Sequence, residues 1–248
     1  LALLMTVGAA LLVRSFLQIR RVDAGFDPRG VLAAAVELNA RYDTSTKVDA
    51  FMGALEARAR AIPGVTGAAL ASNVPFKGTS YTTDFIAYGR PEGGYGTEIG
   101  NRTVTPSYFA TMKVPVLRGR VFGAEDREGS TPVLVINEAL ANSYFKGEDP
   151  VGQRITFGKV VTLKSTWYTI IGVVGNEHVD ALDIAPRIEA YHAEAQEPSS
   201  YMVVLMRTKG DPAALTPTLR AVLRDLDPTL TLLEVTTMER LRAESLAR

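Results

Sequence analysis

The residues best suited to acid–base or metal chemistry lie around the two histidines of the chain. His178 and His192 have carboxylates nearby that could act as oxygen ligands, namely Asp180, Asp183, Glu189 and Glu194. Imidazole nitrogens combined with carboxylate oxygens would suit a zinc-type site. The HExxH and HxH spacings that bring such ligands together are missing. We therefore interpret both histidines as hydrogen-bonded or solvated loop residues, with a metal enzyme or hydrolase as the alternative.

Two short acidic runs resemble the paired carboxylates of general acid–base catalysis. Glu125, Asp126 and Glu128 form one run, and Glu148 and Asp149 form the other. Residues adjacent in sequence rarely converge on one substrate, so we expect polar loop surfaces here. A Ser-His-Asp triad is also disfavoured, because the chain has no GxSxG turn to expose a nucleophilic serine.

Two glycine-rich stretches approach nucleotide-binding motifs without matching them. A phosphate loop, GxxxxGK[ST], surrounds phosphates with backbone amides and brings a hydroxyl to magnesium. Here five residues separate Gly152 from Gly158, and Val160 follows Lys159 in place of the hydroxyl. Another set of glycines misses the dinucleotide pattern GxGxxG by one residue: Gly94, Gly96 and Gly100. We predict no catalytic, cofactor-binding or metal-binding residue, and no enzymatic activity.

The composition favours a folded protein with no bias towards nucleic acid. The chain has 248 residues, of which 46% are hydrophobic, enough for one large core or two moderate ones. Lys+Arg and Asp+Glu are both 27, so the overall positive charge that nucleic-acid binding favours is missing. With no cysteine, neither a disulfide framework nor a thiolate nucleophile is available.

Two strand–helix–strand units are predicted, one near each end of the chain. In the first, strands at Val31 to Leu38 and Val65 to Ala71 flank a helix that begins at a capping box, Thr46 with Asp49, and stops at Ile62. The second has strands at Tyr201 to Met206 and Leu230 to Val235 around a helix started by Asp211 and Pro212. Two such units predict an α+β fold with a split βαβ, ferredoxin-like sheet carrying both helices on one face.

Between these units lies a second set of short elements. Thr82 to Tyr88 and Glu98 to Val104 are predicted to form a hairpin around the loop GRPEGGYG. Further strands are expected at Val133 to Ile136, Ile155 to Phe157, Val160 to Leu163 and Trp167 to Val174.

Two short helices are expected in the same region. Pro106 opens the first, which carries Tyr108, Phe109 and Met112, and Asn137 caps the second, which runs through Phe145. The Tyr-Phe pairs at 108–109 and 144–145 are expected to anchor a core, with an exposed partner-binding patch as the alternative.

The two ends of the chain suggest a membrane. Leu1 to Val13 carries no charge, but at ~1.5 Å per residue it spans only ~20 Å of a ~30 Å hydrocarbon layer. We expect it to be the end of a transmembrane helix, with a buried helix or a signal-peptide core as the alternative. At the other end, Thr236 and Glu239 form a capping box for a helix that reaches Arg248.

In its motifs the chain resembles the MacB-like periplasmic core domain of FtsX-like ABC transporter permeases. The segments PSYFATMKVPVLRGRVF and PVLVINEALANSYFKGEDPVGQRI carry the resemblance most specifically. RSFLQIRRVDAGFDPRGVL, TIIGVVG and GDPAALTPTLRAVLRDLDPTL continue it in the expected order. The chain departs from the family at Lys146, where proline is frequent, and in GNEHVDAL and RIEAYHAEAQ.

The resemblance implies an extracytoplasmic domain at the bacterial inner membrane, between two transmembrane helices. The partners it implies are a cytoplasmic ABC ATPase, a periplasmic adaptor protein, the membrane through the flanking helices, and a second copy in a dimeric transporter. It implies five segments: the end of a transmembrane helix with a stalk (1–30), a porter-like subdomain in two parts (31–113 and 198–236), an inserted small α/β subdomain (114–197), and a helix leading to the next transmembrane segment (237–248).

Our functional prediction is that the domain relays ATPase-driven motion to a periplasmic partner or substrate, in export or another envelope process. The relay needs two membrane-connected ends in one folded body and at least two arrangements of that body. The alternative is a passive module that binds a substrate or an adaptor without moving.

Overall fold

The computed structural model describes residues 23–78, 81–89 and 98–246. The predicted membrane segment at 1–13, most of the GRPEGGYG loop and residues 247–248 lie outside this part. Within it, no helix is both long and apolar enough to cross a bilayer. The described helices are α1 (Ser45–Arg60), α2 (Tyr108–Met112), α3 (Glu138–Tyr144), α4 (Thr216–Leu226, preceded by a 3-10 helix at Pro212–Leu215) and α5 (Met238–Ser245).

The strands of the described residues join one mixed sheet. They are β1 (Val31–Glu37), β2 (Val65–Ala71), β3 (Thr82–Thr83), β4 (Phe85–Ala87), β5 (Ile99–Val104), β6 (Val116–Gly119), β7 (Val133–Asn137), β8 (Arg154–Phe157), β9 (Tyr168–Val174), β10 (Glu189–Ala193), β11 (Tyr201–Thr208) and β12 (Leu233–Thr237). Their order is β12-β1-β11-β2-β5-β10-β7-β9-β8-β4, with β3 paired to β5 and β6 paired to β9.

The inner half of the sheet, which we define as β12, β1, β11 and β2, has the predicted ferredoxin-like order. All neighbours in this half are antiparallel, and the strands contributed by the two strand–helix–strand units alternate. Both long helices, α1 and α4, pack against the same set of strand residues and therefore cover one face. These observations confirm the α+β fold class.

The outer half, from β5 to β4, is mixed. β10 runs parallel to β5 and antiparallel to β7, and β7 runs parallel to β9. Strand β4, from the predicted segment 31–113, pairs with β8 from the segment 114–197. The sheet is therefore continuous across this boundary, and the division into subdomains stays a prediction.

The two faces of the sheet are packed differently. Because side chains alternate along a strand, Val31 and Ala33 of β1 face one side and Leu32 and Ala34 face the other. On the first side a single core, under α2 and α5, extends from β1 to β7. On the second side there are two cores, one under α1 and α4 and one under α3. The inner and outer halves thus share apolar packing on one face only.

Two predicted helix starts are wrong by one or two residues. Helix α1 is capped by Thr44, whose hydroxyl accepts from the Lys47 amide, and not by Thr46 with Asp49. Helix α5 is capped by Thr237 and not by Thr236. In each case the capping residue has the extended backbone that an N-cap needs, and a second hydroxyl nearby made the sequence ambiguous. The caps predicted at Asn137 and Asp211 are confirmed.

The hairpin predicted at Thr82 to Tyr88 is mostly wrong. Only the two residues of β3 pair with β5, after which β4 crosses to β8, where Phe85 and Ala87 are buried in the core under α3. The strand predicted at Val160 to Leu163 is also wrong, because this segment turns at Thr162 to Ser165 and exposes its apolar side chains.

Other strand predictions differ in extent or were missed. The strand predicted from Leu230 begins at Leu233, since Leu230 packs under α4 instead. Strands β6 and β10 were not predicted. The Tyr-Phe pairs do anchor the cores: Tyr108, Phe109 and Phe145 are buried, and Tyr144 packs edge-on against Phe85.

Candidate functional site

Arg207, on β11, holds the segment that leads into β1. Its guanidinium donates to the carbonyl oxygens of Thr111 at 2.6 Å, Arg29 at 2.7 Å and Asp27 at 2.6 Å. The Asp27 carboxylate in turn accepts from Lys113 at 2.8 Å. We call residues 23–30 the leading segment; these bonds fix it to β11 and to the end of α2.

The other end of the described chain arrives at the same place. Thr237, at the end of β12, lies opposite Leu32 at the start of β1. Helix α5 then packs Met238 and Leu241 into the core that also contains Ala24 and Phe26 of the leading segment. Both ends of the described fold therefore leave from one edge of the inner half.

The start of the loop between β9 and β10 joins the leading segment to the outer half. We call residues 175–178 the junction loop. The His178 amide donates to the Ala24 carbonyl at 3.0 Å, and Asn176 Oδ1 accepts from the Ala139 amide in the first turn of α3 at 2.7 Å. Gly25, with φ +80°, lies so close that a Cβ there would collide with the Asn176 carbonyl oxygen.

The same loop reaches a fully buried charge cluster through Glu177. The cluster consists of Arg102, Tyr108, Glu177, Glu189 and Tyr191. Arg102 donates to Glu177 at 2.9 Å and to Glu189 at 3.0 Å, and the Tyr191 hydroxyl donates to Glu177 at 2.8 Å. Tyr108 contacts both Arg102 and Glu177. The cluster ties β5, α2, the junction loop and β10 together.

One guanidinium in this cluster faces two carboxylates. Desolvation, together with the nearby charge of Glu177, raises the pKa of Glu189 to about 7, although Arg102 opposes the shift. Burial likewise raises the pKa values of Tyr108 and Tyr191 well above their ordinary range. Removing one member of such a network leaves an uncompensated charge, so the cluster favours a single arrangement of its strands.

On the opposite face, polar side chains separate the two cores. We call Asn101, His192, Glu194 and Glu197 the polar seam. His192 Nε2 is 2.9 Å from Asn101 Oδ1, and its Nδ1 is 3.1 Å from Glu197, close enough for an ion pair but not aligned for a hydrogen bond. Glu194, at the end of β10, is only 4% exposed and faces α1.

A cleft of about 900 Å³ opens beside the leading segment. Lys113 after α2, Glu138 on α3, His178 of the junction loop and Arg242 on α5 line it. The cleft therefore lies where both ends of the described chain meet the junction loop.

The two histidines considered as one candidate metal site lie apart in the structure. His178 lines the cleft, with Nδ1 3.2 Å from the Ala181 carbonyl, whereas His192 is buried in the polar seam. The acidic residues near them also diverge, since Asp180 pairs with Arg187 and Glu189 joins the charge cluster. Among the described residues, no group of His, Asp and Glu side chains is arranged to hold a metal ion.

The acidic runs and the glycine motif have structural roles. Asp126 binds Arg120 at 2.6 Å and the Gly123 amide at 2.9 Å, which shapes the loop between β6 and β7. Glu148 and Asp149 lie on a different loop, between α3 and β8. Gly152 and Gly158 flank a strand, β8, and not a phosphate-binding helix start.

The sequence analysis did not identify the buried polar residues around which these contacts form, namely Arg102, Arg207, Glu177 and Glu194. A usable signal existed for Arg102, which is a charged residue inside a predicted strand and needs a partner if buried. Arg207 lies one residue beyond the strand predicted at Tyr201 to Met206 and inside the observed β11. No local signal identified Glu177 as the partner of Arg102, because 75 residues separate them.

Comparison with known proteins gives a consistent family and fold. The family of MacB-like periplasmic core domains matches residues 10–222. Over 84 residues the chain is 30% identical to the macrolide export ATP-binding/permease protein MacB of Syntrophobacter fumaroxidans. This match covers 34% of the chain but only 10% of that relative.

Solved structures of transporter domains are similar to most of the chain. The periplasmic region of MacB from Actinobacillus actinomycetemcomitans matches with a TM-score of 0.58 at 13% identity, covering 92% of this chain and 97% of that one. The extracellular domain of the ABC-type transporter YknZ from Gram-positive bacteria matches with a TM-score of 0.52 at 14% identity, covering 82% and 100%. At these identities the likeness shows the fold.

Proposed function

Because the chain belongs to the family of MacB-like periplasmic core domains, we propose that it relays ATPase-driven motion outside the membrane. In this proposal it lies on the extracytoplasmic side of the bacterial inner membrane, within an ABC transporter permease. Its partners are a cytoplasmic ABC ATPase, which supplies the motion, and a periplasmic adaptor or substrate, which receives it.

The observation that carries the proposal is that the two ends of the described part of the chain meet. Strands β1 and β12 are neighbours, with Leu32 opposite Thr237, so connections to both could enter one bilayer side by side. The charges at the two ends also interact: Asp27 raises the pKa of Arg29, and Glu239 on α5 adds to the shift. A push on either connection would therefore act on the same edge of the sheet.

A route from this edge to the outer half follows from the contacts. The leading segment touches the junction loop at Ala24 and Gly25, and the junction loop binds both α3 and the buried charge cluster. Displacement of the leading segment would thus reach the outer half through packed and hydrogen-bonded atoms. The polar seam offers a place for the two halves to bend, since the cores are separate on that face.

The far end of the outer half supports a contact with a partner. Val160 is 56% exposed and Leu163 fully exposed, in a segment shaped by hydrogen bonds between Thr162 and Ser165. Two exposed apolar side chains on one turn offer a partner an apolar contact. We assign this turn to the adaptor, and we place two copies of the domain in a dimeric transporter.

A second candidate function is a passive binding module, which the cleft beside the leading segment favours. Such a module would capture a substrate or an adaptor with no change of shape. The two functions differ in whether the distance between the chain ends and the outer turn responds to the ATPase.

Spin labels at two exposed positions in the full transporter test the proposal. We would replace Ala243 on α5 and Leu163 on the outer turn with cysteine, because this chain contains none. The relay predicts a change in the label distance when ATP is added. A control pair on α1 and α4, at Ala57 and Arg220, should keep its distance. An unchanged distance between α5 and the turn would favour the passive module.

A further inference from the structure

Glu194 is a buried carboxyl that no cation among the described residues neutralises. It follows the last residue of β10, and its amide donates to Val104 at 3.0 Å. Its Oε1 atom is buried and has no hydrogen-bond donor among the described residues. A carboxylate in this position would lose hydration without gaining a compensating bond.

The charged groups that face Glu194 from α1 are also acidic. Asp49 and Glu56 both act on it, and Asp49 is within hydrogen-bond reach. Glu56 is held in place by Ser107, whose hydroxyl donates to it at 2.6 Å, and by Arg60 one turn later. On its own segment, Glu197 is already engaged by His192 and Tyr168.

Two carboxyl groups in hydrogen-bond contact are stable only when a proton lies between them. Burial first, and then the charges of Asp49 and Glu56, raise the pKa of Glu194 to about 8. At neutral pH Glu194 therefore keeps its proton and can donate it to the exposed Asp49 carboxylate.

We propose that this shared proton is a latch that holds α1 against the end of β10 and so keeps the polar seam closed. The latch rests on the proposed relay, in which the two halves bend at the seam. When the proton leaves, the carboxylates of Glu194 and Asp49 repel each other at the boundary of the two cores, and Glu56, although paired with Arg60, adds to the repulsion. The seam then opens, while the continuous core on the other face keeps the halves together.

The latch can be tested on the chain itself with labels on either side of the seam. The labels would be attached to cysteines that replace Ala57 on α1 and Asn142 on α3, both of which are exposed. The distance between the labels should change between about pH 6 and about pH 9.5, on either side of the Glu194 titration. Glu189 titrates in the same interval in both proteins, so the readout is the difference between them. Glu194→Gln should lose most of the distance change, because its amide cannot ionise.

Two further variants make the test specific. Asp49→Asn removes one of the two facing charges at an exposed site, so the transition should move to lower pH without disappearing. Glu128→Gln, on the exposed loop between β6 and β7, is the matched control and should behave as the unmodified chain.

Three results would overturn the latch: a distance that is constant with pH, a Glu194→Gln variant that changes as much as the unmodified chain, or recovery of the low-pH distance at high pH by millimolar calcium. The last would show that a cation, and not a proton, closes the seam. None of these results depends on ATP. If they occur while the ATP-dependent distance change in the full transporter persists, the latch fails and the proposed relay stands.

Discussion

At the scale of single residues, Arg102 is the side chain on which the buried charge cluster depends. It is 1% exposed and is the cation of the cluster that faces both Glu177 and Glu189. Its flat guanidinium reaches the two carboxylates from one point, which a lysine could not reproduce.

Replacing Arg102 with methionine should lower the free energy of unfolding by about 3–5 kcal/mol, because two buried carboxylates lose their partner. Urea unfolding at neutral pH would measure the loss. Arg240→Met is a matched control, since Arg240 is 73% exposed and pairs with Glu244 one turn along α5. This control substitution should lower the free energy of unfolding by less than about 1 kcal/mol. Similar losses in the two variants would contradict a special role for the cluster.

Glu189 should make stability depend on pH. Its pKa rises from 4.5 in the unfolded chain to about 7 in the fold. A raised folded pKa means that its contribution is fully present below pH 4.5 and is lost as the pH rises through 7. The loss is on the order of 3 kcal/mol, taking about 1.4 kcal/mol for each pH unit.

The variant Glu189→Gln isolates this contribution, because Glu194 still titrates in both proteins. Relative to the unmodified chain, the variant should gain stability steadily between pH 4.5 and pH 7 and hold that gain above it. Denaturant unfolding at a series of pH values would measure the difference. A difference that stays constant with pH would show that Glu189 does not titrate in this range.

At the scale of elements, the contact between the leading segment and the junction loop is the sensitive point. Gly25→Leu should push these segments apart, since its Cβ would meet the Asn176 carbonyl and its φ is +80°. Amide exchange at His178, which donates to Ala24, should become faster. Unchanged exchange at this amide would show that the contact is not tight.

A second glycine supplies the comparison. Gly53 lies within α1, and a Cβ there would meet nothing within 4 Å. Gly53→Ala should therefore raise the free energy of unfolding by about 0.5–1 kcal/mol and leave the exchange of His178 unaltered. In the full transporter, Gly25→Leu should reduce transport while adaptor binding persists, whereas a passive module would tolerate it.

Local sequence patterns predicted correctly those helices and strands whose apolar residues follow one clear repeat. Strand β2 has the predicted limits, Val65 to Ala71, because an apolar run follows the turn at Pro63 and Gly64. Strand β10 was missed because its sequence, EAYHA, contains Glu189 and His192, which are buried only because distant residues satisfy them. Strand β6 was missed because its side chains are exposed throughout.

The candidate site was much less predictable than the elements. Its contacts join residues far apart in the chain, such as Arg207 with Thr111 and Arg102 with Glu177. Sequence spacing indicates which side chains share a face of one element but carries no information on which elements meet. The two histidines suggested a candidate site only because imidazole is a common catalytic and metal-binding group, and in the structure they lie apart.

At the scale of the whole molecule, the core on one face spans both halves of the sheet. It includes Val31 and Leu205 from the inner half and Val135 and Tyr191 from the outer half. The halves should therefore unfold together even though their cores are separate on the other face.

The single tryptophan makes this prediction easy to test. Trp167 is in the outer half, whereas helical circular dichroism is dominated by α1 and α4 of the inner half. In urea, the fluorescence and circular dichroism transitions should coincide. An earlier fluorescence transition would mean that the outer half melts independently.

The pairing of β1 with β12 has a practical consequence for protein engineering. Adjacent strands lie about 4.8 Å apart, so a host protein needs only a narrow gap in a surface loop to accept this fold as a cassette, provided that the leading segment and α5, which are part of the core, are kept. The two ends of the host loop would stay close together after the insertion. The inserted domain could then carry a reporter at its outer turn, far from the insertion point.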